Sequence, residues 1–99
     1  MPLEELDPLI HVPARLRIMA THATLLEGDT LSFTRLQELT DLTPGNLITH
    51  IRKLEDAGYI EIDKSGSGAS SLTTVALTSR GRQALGDYST SLRKLLDGV

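Results

Sequence analysis

The segment from Ser32 to Ile62, SFTRLQELTDLTPGNLITHIRKLEDAGYIEI, constrains the fold more than any other part of the chain. It reads as two short helices, a tight turn between them and an extended strand after them. The second helix carries both of its boundary signals. Thr43 offers an N-cap oxygen, Pro44 fits the first helical position, where a missing N–H costs nothing, and Gly58 after Ala57 supplies a left-handed stop. Within it Leu47, Ile51 and Leu54 recur at helical spacing with Ile48 beside them, while Gly45, Asn46, Thr49, Arg52, Lys53 and Asp56 fall on the opposite side. One face belongs to a core; the other is free to contact a partner.

The flanking segments extend this plan. From Pro13 to about Glu27, Leu16, Met19, Ala20, Ala23 and Leu26 trace a helical stripe closed by Gly28, and Arg15, Ile18, His22 and Leu25 form a second row left for another helix or subunit. Thr30 to Phe33 allows only a short extended piece before a helix that reaches about Thr40 and turns Leu36 and Leu39 inward. Asp41, Leu42 and Thr43 then form a three-residue link with an apolar middle, as in a helix-turn-helix at about 33–57. After Gly58 the period changes to two: Ile60 and Ile62, then Thr73, Val75 and Leu77, alternate with polar or small residues and predict a hairpin wing at about 59–77. Its Gly/Ser-rich tip, Ser65 to Ser71, reads as mobile. Thr78 caps a last helix at about 79–97, in which Leu85, Tyr88, Leu92, Leu95 and Val99 make a seam widened by Ala84 and Leu96. At the start, Leu3, Leu6, Leu9 and Ile10 suit a short amphipathic helix broken by Pro8.

These elements predict one mainly α domain over residues 1–99 with a small β-hairpin wing: a winged helix-turn-helix with N- and C-terminal dimerisation helices. The expected dimer interface comprises Leu6, Leu9, Ile10, Leu85, Tyr88, Leu92 and Leu95. A helix-turn-helix points to double-stranded DNA. On this reading Gly45, Asn46, Thr49 and His50 meet bases, Asn46 by pairing with adenine, and Gly45 permits close backbone approach. Thr34, Arg35, Thr43, Pro44, Arg52, Lys53 and Lys64 complete the expected DNA surface, chiefly by holding phosphates.

Composition sets limits. The net charge is −3, with Glu38, Asp41, Glu55, Asp56, Glu61 and Asp63 outnumbering the cations of the DNA half, so nonspecific affinity is expected to be weak. With no long apolar run, no leader and no cysteine, the chain reads as cytoplasmic, without a membrane partner, disulfide or thiolate metal site. Asp7 and His11 stand one helical turn apart, but two ligands do not make a zinc site; His11 and His22 read as exposed or dimer-facing, and no cofactor is expected. No nucleophile motif occurs, and the GSGASS run lacks the lysine and the strand-to-helix setting of a phosphate loop, so the chain is not expected to be an enzyme.

Three segments, PARLRIM (Pro13 to Met19), Ser32 to Ile62, and LTSRGRQAL (Leu77 to Leu85), together resemble small winged-helix regulators of the MarR/ArsR/PadR type. The resemblance spans about Leu9 to Leu95. It implies a homodimeric transcriptional regulator joined through its terminal helices, with the Pro44 helix in the major groove. In such relatives arginines commonly precede the second wing strand; here the matching place reads GASSLTT, Gly68 to Thr74. No ArsR-like cysteine motif occurs in TRLQELT. An effector, if there is one, is unspecified. The bare wing and the acidic balance leave a second reading open, a protein-interaction module that keeps the fold and binds DNA weakly or not at all.

Overall fold

The computed structural model describes residues 6–65 and 72–99. In chain order the elements are α1 (Pro13–Ala23), β1 (Thr30–Ser32), α2 (Phe33–Thr40), α3 (Pro44–Asp56), β2 (Ile60–Ser65), β3 (Leu72–Leu77) and α4 (Ser79–Asp97). The winged helix-turn-helix architecture is present as expected, with one addition. β1 pairs with β3, Leu31 opposite Val75, so the hairpin becomes an antiparallel three-stranded sheet in the order β1-β3-β2. Leu3 and the wing tip expected to be mobile, 66–71, lie outside the described residues.

Local chemistry closes the helices where the sequence places the signals. Ser32 Oγ accepts from the Arg35 N–H, Thr43 Oγ1 from the Asn46 N–H and Thr78 Oγ1 from the Gly81 N–H. α3 ends in a Schellman motif: the Tyr59 N–H reaches the Leu54 carbonyl, the Gly58 N–H reaches that of Glu55, and Gly58 takes φ +78°. Asp41 ends α2 at φ 57°, a left-handed position that a short polar side chain tolerates.

Leu36, Leu47, Ile51, Leu54, Ile60, Val75 and Leu77 of α2, α3 and the sheet pack with Ile18 and Met19 of α1 and Tyr88 of α4. Four expectations are corrected. α1 stops at Ala23 rather than about Glu27, and its inward residues are Ile18, Met19 and His22; Ala20 is exposed and Leu26 is 79% exposed. His22, expected on a free or dimer-facing flank, is buried because its ring nitrogens meet the carbonyls of Ile18 and Val75 at 3.0 and 3.1 Å. Leu39, expected inward, is exposed. Residues 6–12, the described part of the segment before α1, form a turn rather than a helix: Asp7 Oδ1 accepts from the Leu9 N–H, and the Asp7 carbonyl from the His11 N–H.

α4 is latched to the end of α3. Thr78 donates its N–H to the Tyr59 carbonyl at 3.0 Å and its hydroxyl to the Gly58 carbonyl at 2.6 Å. Gly81 sits so close to this turn that a side-chain methyl there would run into the Tyr59 carbonyl oxygen. Among the described residues no helix is long and apolar enough to cross a membrane.

Candidate nucleic-acid interface

α3 is held from behind by Leu47, Ile51 and Leu54, and this fixes which side chains point away. Thr43, Pro44, Gly45, Asn46, Thr49, Arg52 and Lys53 are all exposed, so the structure brings these expected residues onto one surface. Their roles differ. The Thr43 hydroxyl is occupied as a cap. Thr49 Oγ1 donates to the Gly45 carbonyl at 3.0 Å, which leaves the side chain presenting its methyl and an acceptor oxygen rather than a free donor. A methyl added at Gly45 would meet nothing within 4 Å, so packing within the chain does not require glycine there. Asn46 keeps its amide side chain free of partners within the described residues.

His50 sits differently. It is half-buried on the flank of α3, its Nδ1 has no partner among the described residues, and burial followed by the charges of Arg15 and Lys53 lowers its pKa. A neutral imidazole on that flank adds no cation to the surface. Thr34 and Arg35 are exposed at the first turn of α2, where Arg35 pairs with Glu38 at 3.1 Å. The pair is exposed on both sides, so the guanidinium is readily redirected to a phosphate.

Strand parity sorts the wing charges. Lys64 lies on the same side of β2 as Ile60 and Ile62, toward α3, whereas Glu61 and Asp63 point to the opposite face. With Glu27 and Glu55 those acids surround a separate concavity of about 810 Å³. A chain of net charge −3 thus places Arg52 and Lys64 on one groove and turns Glu55, Glu61 and Asp63 toward another.

The sequence reading missed Ile48, grouped with the core but 40% exposed beside Arg52. It sits a full residue's rotation, about 100°, from Leu47, which carries it past the edge of the covered stripe. Helical angle alone could have found it.

A second surface lies between α1 and α4. Leu16, Ala20, Ala23, Leu85 and Leu92, with Arg82, line a mainly apolar groove of about 470 Å³. Of the expected interface residues, Leu9, Leu85, Leu92 and Leu95 remain partly exposed. Leu6, Ile10 and Tyr88 are corrected: they are 3%, 0% and 5% exposed within the single chain, so their apolar surface is already spent on the protomer's own core. Tyr88 also shares a 2.8 Å hydrogen bond with His11 Nδ1, and the Asp7 carboxylate accepts from the Tyr59 hydroxyl, which commits the pair once considered for zinc to other contacts.

Comparison with known proteins agrees with this geometry. Residues 14–96 match the family model of a winged helix DNA-binding domain. An uncharacterized protein of Methanocaldococcus jannaschii is 37% identical over 75 residues, covering 75% of this chain and 77% of that protein. The structure of a transcriptional regulator homologue from Pyrococcus horikoshii OT3 superposes with a TM-score of 0.83 at 31% identity, covering 96% of this chain and 92% of that one. A MarR family transcriptional regulator from Silicibacter pomeroyi shares the fold with a TM-score of 0.67 at 19% identity, over 91% of this chain and 56% of that one. ArsR- and PadR-type regulators, the latter solved in complex with operator DNA, share it at 18% and 20% identity.

Proposed function

The chain belongs to the winged helix DNA-binding domain family, and from that premise we propose that it is a homodimeric transcriptional regulator that reads a short, roughly palindromic operator with α3 in the major groove. Family and fold set it among transcriptional regulators, which are not enzymes. The observation that carries the reading is the exposed N-terminal face of α3, capped by Thr43 and flanked by Arg52, Lys53 and Lys64 while Glu61 and Asp63 face away.

In this arrangement Asn46 pairs with a base edge, Gly45 admits close approach of the backbone, and Arg52, Lys53, Lys64, Thr34 and Arg35 hold phosphates. The dimer forms where the α1/α4 groove of one protomer meets that of its partner, with Leu9, Leu85, Leu92 and Leu95 contributing. The two α3 helices then address major grooves about 34 Å apart, or less on bent DNA. Regulation is by occlusion, as a repressor acting in the cytoplasm.

Fluorescence anisotropy with random duplex across a salt series tests the reading. If Arg35, Arg52, Lys53 and Lys64 of each protomer contact phosphates, log affinity falls against log salt with a slope of about −7 for the dimer. Selection from a random DNA pool then yields the preferred duplex. On it Asn46→Ala lowers discrimination by about 1–3 kcal/mol, whereas Arg52→Ala weakens all sequences alike. No binding at any salt would favour the protein-interaction module.

A further inference from the structure

Between α3 and the wing lies a small groove with an unusual make-up for a surface meant for polyanions. Its walls are Phe33 of α2, Ile48 and Ile51 of α3, and Ile62 of β2, and its cations, Arg52 and Lys64, flank this apolar surface together with Thr73. The space is about 190 Å³. Ile48 is the exposed member of the apolar set, and it sits on the helix between Pro44 and Arg52, in the half that a recognition helix pushes deepest. Thr49, next to it, has its hydroxyl donor tied to the Gly45 carbonyl. The wing-side flank of the reading face therefore offers apolar surface at Ile48, between Arg52 and Lys64.

We propose that Ile48 is a specificity-determining residue that seats the C5-methyl group of a thymine against this groove, an inference that rests on the major-groove reading of α3. The major-groove edge of thymine carries one methyl beside an acceptor, and that methyl is the only apolar group any of the four bases presents there. An apolar side chain between cations matches this edge. The methyl leaves water against Ile48 while Arg52 and Lys64 are free to hold the neighbouring phosphates. Cytosine at the same position has no methyl to seat against Ile48, so the discrimination comes from the contact that only thymine gains.

The experiment uses the full chain and a duplex that it selects from a random pool, with each thymine replaced singly by deoxyuridine, which removes only the methyl. One thymine in each half-site is expected to show about four-fold weaker binding on replacement, the worth of burying one methyl. The Ile48→Ala protein is expected to bind the thymine and uracil duplexes equally, with a melting curve showing that it is folded. Failure of every replacement to weaken the wild-type protein overturns the assignment without calling on any variant. Persistence of the loss in Ile48→Ala overturns it too, by handing the methyl to another residue. Both results leave DNA reading intact, whereas failure to select any duplex removes the major-groove reading and this inference with it.

Discussion

α3 shows one apolar stripe and one polar face, whereas α1 is apolar around most of its circumference. The consequence is visible in which predictions held. For α3, Leu47, Ile51 and Leu54 could pack only one way, and the caps at Thr43 and Gly58 act within a few residues of themselves, so the helix-turn-helix was legible from the sequence. For α1, the apolar residues Leu16, Ile18, Met19, Ala20 and Ala23 allow two inward faces, and contacts distant in sequence decide between them. The Val75 carbonyl draws His22 inward from the sheet, and α4 takes up the opposite side along Leu16 and Ala23. The first unit is written locally; the second is set by assembly.

The joint between the two units is the strongest place to break them apart. Gly81→Ala forces a methyl into the Tyr59 carbonyl and to 2.8 Å from Leu77 Cδ1, and the backbone of α4 cannot withdraw without releasing the Thr78 bonds to Gly58 and Tyr59. A loss of about 4 kcal/mol or more is expected in urea denaturation, among the largest costs of single substitutions. Gly86 is the control. It lies in the same helix, a methyl there meets nothing within 4 Å, and alanine should raise stability by about 0.5–1 kcal/mol.

Ala20→Glu attacks the terminal unit alone. Ala20 is exposed and lines the α1/α4 groove, so the charge costs the protomer little; in a dimer the carboxylate leaves water on each side, a desolvation cost that Arg82 in the same groove offsets only in part. Light scattering is expected to give a dimer for the wild type and a monomer for the variant, with an unchanged circular dichroism spectrum. The substitution is cleaner than Leu92→Glu, because Leu92 also packs against the core of its own chain. A monomeric wild type at high micromolar concentration would remove the dimer from the proposal.

The same contrast can be reversed at Gly45. Alanine there meets no atom within 4 Å, so the folded protein should gain a few tenths of a kcal/mol from the better helix former. If the backbone of α3 approaches a base pair at this point, the added methyl should nevertheless weaken operator binding by about 2 kcal/mol. Stability and affinity moving in opposite directions is the signature of a surface kept for a partner. Ile48 belongs to this lesson: the sequence groups it with the core because its neighbours are core, yet among the described residues it is left 40% exposed. The short extended piece at Thr30 to Phe33 was legible but its pairing with β3 was not, since three residues carry too little alternation to single out a partner strand.

The smallest expected effect concerns the tie between the N-terminal turn and the turn that ends α3. The Tyr59 hydroxyl donates to the Asp7 carboxylate, and this bond, then burial, then the Asp7 charge push the phenol up to about 12, with Arg80 opposing. The sign of the linkage follows from that direction. Below about pH 10 the phenol keeps its proton in folded and unfolded chains alike and the contribution is complete; above it the unfolded chain releases its proton first, so stability falls as pH rises toward 12. Tyr59→Phe should therefore cost about 1 kcal/mol near neutral pH, the worth of a charge-assisted bond at a half-buried site. Denaturation of both proteins at neutral and alkaline pH is the check: the advantage of the wild type should shrink across that alkaline window. Equal stability at neutral pH would mean that the turn is held by the burial of Leu6 and Ile10 alone, and that the polar tie merely satisfies Asp7.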